Sequence, residues 1–154
     1  QRQMCIRDRL CIATLLEDEI TTYNLGNSRA YRFRDGVLLQ LTKDQTKVQQ
    51  LYDMGLISEN QIYSHPEKNI ISGYVGCDGF DSKRIDVITH RERFRRNDML
   101  MLCSDGVSDY INIDEIENAL IMDGELSKKA DAIIDKIYSN GAGDNISLIL
   151  VNKL

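Results

Sequence analysis

Met99-Leu100-Met101-Leu102-Cys103-Ser104-Asp105-Gly106 is the stretch from which the fold is read. Five consecutive apolar residues leave neither face of a strand polar, so a strand covered on both sides is expected here. It runs straight into Ser104-Asp105-Gly106, which sets a carboxylate at the strand end. A second apolar run, Ile146 to Val151, is entered through Gly141-Ala142-Gly143-Asp144-Asn145 and predicts another buried strand with an aspartate at one end. Each Asp alone reads as an ordinary turn residue, because Asp-Gly and Asp-Asn tolerate left-handed backbone. As neighbouring central strands the two runs would bring Asp105 and Asp144 together beside backbone carbonyls, an all-oxygen site suited to Mg²⁺ or Mn²⁺.

Between these strands the hydrophobic period is helical. Asn112 with Glu115 forms a capping-box pattern ahead of Ile113, Ile116 and Leu120, and Leu126, Ala130, Ile133, Ile134 and Ile137 mark a second helix ended by Asn140-Gly141. Upstream, Cys11–Leu16, Ile20–Leu25 and Ala30–Phe33 read as short strands, with Tyr31 and Phe33 on a buried face and Arg32 and Arg34 on a wet one. Asp35-Gly36 then predicts a type I′ hairpin into Val37, Leu39 and Leu41. Helical spacing returns around Asp44–Met54, with Val48, Leu51 and Tyr52 on one face, and Ser58 with Gln61 predicts another helix start. Residues 77–82 are turn-like, and Ile85, Val87 and Ile88 suggest one more strand.

Composition limits the function. The 154 residues are 42% apolar with one proline and no tryptophan, which suits one domain with a real core and no boundary after about residue 10. No apolar run is long enough to cross a bilayer, so membrane insertion is not expected. A net charge of −5 gives no general attraction to nucleic acid, and none is expected as a partner. Cys5, Cys11, Cys77 and Cys103 form no C-x-x-C pair, which fits reduced thiols in a cytoplasmic protein. Gln1 to about Leu10 is polar and basic without a signal-peptide pattern and matches nothing that follows, so it is expected to be foreign sequence before an incomplete domain.

The motifs combine into a resemblance. Leu102-Cys103-Ser104-Asp105-Gly106-Val107-Ser108-Asp109 and Gly143-Asp144-Asn145-Ile146 resemble two motifs of the PPM-type, protein phosphatase 2C-like serine/threonine phosphatases, in the right order and separated by a helix pair. Asn24-Leu25-Gly26-Asn27-Ser28-Arg29-Ala30-Tyr31 is similar to the family's N-x-G-D-S-R-A-Y, and Leu41-Thr42-Lys43-Asp44 to its L-T-x-D. Val48 to Gly76 resembles the helical flap of the bacterial members, with the flap taken as about 42–76 and the partial domain as 11–154.

The resemblance implies an α+β fold, an antiparallel β-sandwich flanked by helices in α-β-β-α layers, truncated at its N-terminus. It implies that Asp105 and Asp144 are metal ligands and that two Mn²⁺ or Mg²⁺ ions activate a water for attack on phosphoserine or phosphothreonine in proteins. A partner serine/threonine kinase is a further implied partner. Asn27 stands where the family has an aspartate that helps hold a third, weaker metal, which implies a weakened third site. The family's N-terminal R-x-x-N-x-D and D-G-x-G-G-H motifs are missing, and Arg7-Asp8-Arg9 does not replace them. The fragment alone is therefore expected to be inactive, and a non-catalytic phosphatase-like binding or regulatory module is the alternative.

Other candidates are weaker. His65 before Pro66 reads as a surface-turn histidine, and His90 has no visible partner. Arg91, Arg93, Arg95 and Arg96 are interrupted by acids and read as a solvated strand connection. Cys103 ends an apolar run and reads as core, and no G-x-S-x-G elbow or phosphate-binding G-x-x-x-x-G-K-[ST] loop is present.

Overall fold

The computed structural model describes residues 8–75 and 87–153. Cys5, Cys77, the turn at 77–82 and Ile85 therefore lie outside the described residues. Strands β1 (Leu10–Leu16), β2 (Glu19–Leu25) and β5 (Ile88–Arg93) form an antiparallel sheet in the order β1-β2-β5. Strands β3 (Arg29–Arg34), β4 (Val37–Gln40), β6 (Met99–Cys103) and β7 (Leu148–Asn152) form a second, in the order β4-β3-β6-β7. Two short helices, α1 (Lys47–Asp53) and α2 (Glu59–Ser64), precede β5. Helices α3 (Asp105–Ser108), α4 (Ile113–Ile121) and α5 (Leu126–Ser139) link β6 to β7.

Alternation along the strands builds two cores. Tyr31, Phe33, Met101 and Cys103 point from the four-stranded sheet toward α4 and α5, where they meet Ile116, Leu120, Ile133 and Ile137. From the opposite face, Ala30 and Leu100 meet Ile20 and Phe94 between the two sheets. The β6 strand is thus covered on both faces, as its composition requires. The α+β sandwich with helices outside the four-stranded sheet matches the expected class.

Local signals explain most element ends. Asp35 and Gly36 have φ of 51° and 85°, the two positive values of a type I′ turn, and Arg34 pairs Val37 across it. Asn112 Oδ1 accepts from the Glu115 amide at 2.9 Å while Glu115 Oε2 accepts from the Asn112 amide at 3.1 Å, the capping box that starts α4. Ser58 precedes α2, and its amide donates to Gln61 Oε1 at 2.7 Å.

Four expectations need correction. Helix α1 starts at Lys47 rather than near Asp44, because Asp44 is held by Arg29 and the Thr46 hydroxyl caps the helix by accepting from the Gln49 amide. Only Val48 of the expected α1 face is buried, while Tyr52 is exposed. The strand expected at 85–88 is observed as Ile88–Arg93, paired along β2. Strand β7 begins at Leu148, pairs only with β6 among the described residues and leaves Ile149 exposed, so it is an edge strand rather than a buried central one.

The outward face of β3 also differs from expectation. Arg32 and Arg34 face the other sheet rather than water, Arg32 Nη1 donating to Glu92 at 3.0 Å and Arg34 gripping Asp98 at 2.6 and 2.8 Å. Asp98 is nearly inaccessible and also accepts from the Arg95 amide at 2.6 Å. Burial alone would raise the Asp98 carboxyl, but the Arg34 hydrogen bonds, the Arg95 amide and the charges of Arg34 and Arg32 hold it below the usual carboxylate range.

Candidate metal centre

The antiparallel pairing of β6 and β7 places Cys103 opposite Leu148. Asp105 follows the end of β6 and Asp144 precedes the start of β7, so both aspartates come to the same end of the sheet. The pairing extends one step past the ladder, with the Ser104 amide donating to the Ser147 carbonyl at 3.0 Å. Gly106 then packs on the Asp144 side, and a Cβ there would stand 2.2 Å from the Asn145 carbonyl oxygen. Glycine is therefore required at 106 for the two loops to touch.

The carboxylates themselves are held differently. Asp105 Oδ2 accepts from Arg9 Nη1 at 2.5 Å and from Asn27 Nδ2 at 3.1 Å, and its side chain is largely shielded. Asp144 lies in an exposed loop, where its Oδ1 accepts from the Asn145 amide at 2.7 Å. Asn27 comes to Asp105 from the turn between β2 and β3. Behind it Arg29 grips Asp44 through Nε at 2.9 Å and Nη2 at 2.6 Å and donates from Nη1 to the Tyr31 hydroxyl at 3.1 Å. A bidentate ion pair of this kind fixes the L-T-x-D segment to the start of β3.

A polar cavity of about 200 Å³ opens beside Asn27, lined by Arg29, Asp44, Lys68, Ser108 and Asp109 among others. Burial first, and then the neighbouring Asp105 and Asp44 charges, push the Asp109 carboxyl above its ordinary range against the pull of Lys68 and Arg29.

The donor set suits a hard divalent cation, being built from carboxylate oxygens next to backbone carbonyls. The Arg9 guanidinium, itself a cation, lies directly on Asp105 Oδ2. Among the described residues no group of three His, Cys, Asp or Glu side chains converges on this place.

Other sequence candidates stay apart from this centre. His65 ends α2, with Nδ1 accepting from the Glu67 amide at 3.1 Å, and His90 sits on β5 beside Glu92. Arg91, Arg93, Arg95 and Arg96 are exposed. Cys103 is buried in the helix-side core, and that burial pushes its thiol up to about 12. Sequence reading alone did not find the contact of Arg9 with Asp105, the Arg29–Asp44 pair as a unit, or Asp109 in the cavity. Each depends on residues 15 to 96 positions apart, for which one sequence offers no local signal.

No family model matches the chain. Comparison with individual proteins is more informative. Over 144 residues, 94% of the chain, it is 36% identical to the serine/threonine phosphatase stp of Listeria monocytogenes, covering 56% of that protein. The crystal structure of the Mycobacterium tuberculosis serine/threonine phosphatase PstP/Ppp superposes with a TM-score of 0.85 at 30% identity, over 94% of this chain and 59% of that one. The chain belongs to the PPM-type serine/threonine phosphatases. It spans 56% of the length of the Listeria phosphatase and 54% of that of a putative protein phosphatase 2C-type of Streptococcus pyogenes. A further PPM structure, the catalytic domain of PstP, is described in complex with two manganese ions and superposes with a TM-score of 0.78 at 27% identity, over 94% of this chain and 57% of that one.

Proposed function

We propose that the whole protein hydrolyses phosphoserine and phosphothreonine in proteins, using divalent metal held in part by Asp105 and Asp144. The observation that carries this reading is the delivery of both aspartates to one end of the β6–β7 pair, with their loops in direct contact through Ser104 and Gly106. The manganese-bound relative supports the choice of metal, with Mn²⁺ or Mg²⁺ as the ion.

When bound, such ions would lower the pKa of a water and neutralise charge on the phosphoryl group. The chain's own residues prepare the place. Asp105 and Asp144 offer charged oxygens, and the Asn145 amide fixes one Asp144 oxygen while leaving the other unpaired among the described contacts. Asn27 donates to Asp105 from the third-metal position, so an amide there meets the charge that an aspartate would repel without a cation between them. This supports a weakened third site. The cavity lined by Lys68 and Asp109 lies against segment 42–76, which fits a flap bordering the substrate.

A second reading, a non-catalytic phosphatase-like module, has one observation of its own. Within this chain Asp105 is already ion-paired with Arg9 and hydrogen-bonded by Asn27, and no third ligand joins it among the described residues. The same lack of a third ligand supports inactivity of these 154 residues by themselves. Metal titration of the whole protein separates the two readings. Saturable Mn²⁺ binding that Asp144→Asn abolishes is expected for the phosphatase, and no metal response would favour the module.

A further inference from the structure

Ser104 occupies the position before α3, where a serine hydroxyl ordinarily accepts from an amide of its own first turn. Here it makes no such bond. The hydroxyl instead reaches across to the other aspartate loop, donating to the Asn145 carbonyl at 3.2 Å and accepting from the Ser147 amide at 3.1 Å. With the Ser104 amide donating to the Ser147 carbonyl at 3.0 Å, one residue makes three hydrogen bonds to the segment that follows Asp144. Its immediate neighbour in sequence is Asp105, and Asn145 is the immediate neighbour of Asp144.

We infer that Ser104 is a positioning residue that fixes the spacing of the Asp105 and Asp144 carboxylates by clamping their loops together. The inference rests on the metal reading of these two aspartates. Asp144 sits in an exposed loop outside any strand, four residues before β7, so its own backbone does not fix where its carboxylate lies. A cap spent on α3 would steady Asp105 alone, whereas the observed bonds steady both loops against each other. The contact of Gly106 with the Asn145 carbonyl closes the same junction from the other side of Asp105. Outer hydrogen bonds of this kind set ligand geometry and are worth roughly 10–100-fold in metal affinity.

The test uses the whole protein, Mn²⁺ as the probe, and two variants, Ser104→Ala and Ser104→Thr. Paramagnetic broadening by Mn²⁺ is read at the amides of both loops, and hydrogen exchange is read at the Ser147 amide. Ser104→Ala is expected to speed exchange at Ser147 and weaken Mn²⁺ binding by roughly 10–100-fold, with an unchanged urea midpoint. Ser104→Thr, which keeps the hydroxyl, is expected to restore both. Faster exchange with unaltered Mn²⁺ affinity would overturn the positioning role, and unaltered exchange would overturn the clamp. A drop in the urea midpoint that accounts for the affinity loss and that Ser104→Thr fails to reverse would also overturn it. Absence of broadening in the unsubstituted whole protein would instead strike the underlying metal reading, and the proposal would fall with it; that result is distinct because no substitution is involved.

Discussion

The two sheets of this chain are built from similar strands but are finished differently. The four-stranded sheet is closed on one face by α4 and α5 and on the other by its partner sheet, and its central residues Met101 and Leu100 are almost wholly buried. Among the described residues the three-stranded sheet is covered only on its inner face. Along β1, Leu10 is 41% exposed, Ile12 42% and Leu16 71%. Burial stabilises by about 25 cal/mol per Å² of apolar surface, so cohesion concentrates in the four-stranded half, at whose end Asp105 and Asp144 lie.

The contrast can be broken first at Asp98. Its carboxylate is the buried end of an ion pair with Arg34 and also accepts from the Arg95 amide. Asp98→Ala strands the guanidinium and should cost about 3–5 kcal/mol in urea unfolding. Leu120→Ala, in the core between the helices and the four-stranded sheet, should cost about 2–5 kcal/mol by the same measurement. The matching truncation on the open sheet, Ile12→Ala, should stay within about 0.5 kcal/mol. Equal losses at Leu120 and Ile12 would erase the contrast.

Acid gives a finer test. Because the native Asp98 carboxyl titrates below its ordinary value, its contribution to stability is present above the unfolded pKa, about 3.9, and is lost as pH falls through the lower native value. Urea midpoints of the wild-type chain should therefore fall more steeply below pH 4 than those of Asp98→Asn. The smallest effect concerns the thiols. Burial pushes Cys103 up to about 12 and Cys11 to about 11, so native alkylation at pH 8 should be much slower than in urea at both.

Legibility in the sequence followed the range of the interactions involved. The Asp35-Gly36 hairpin, the Asn112–Glu115 capping box and the fully apolar β6 are decided within a few residues and were readable directly. The arrival of Asp105 and Asp144 at the same end of the sheet required only that β6 and β7 be antiparallel neighbours, which they are. Burial of Arg32 and Arg34 between the sheets was not readable, since alternation assigns a face but not what will cover it. The same holds for Ser104, whose hydroxyl bonds the loop after Asp144, about forty positions away.

The proposal under test is that Asp105 and Asp144 act together in metal-dependent dephosphorylation by the whole protein. Phosphate release from a phosphoserine peptide by the whole protein in Mn²⁺ tests it most directly, with Asp105→Asn and Asp144→Asn beside the unsubstituted protein. The account predicts Mn²⁺-dependent turnover that either substitution lowers by about two orders of magnitude or more, with the fold retained by circular dichroism. Undiminished turnover in both variants would contradict it.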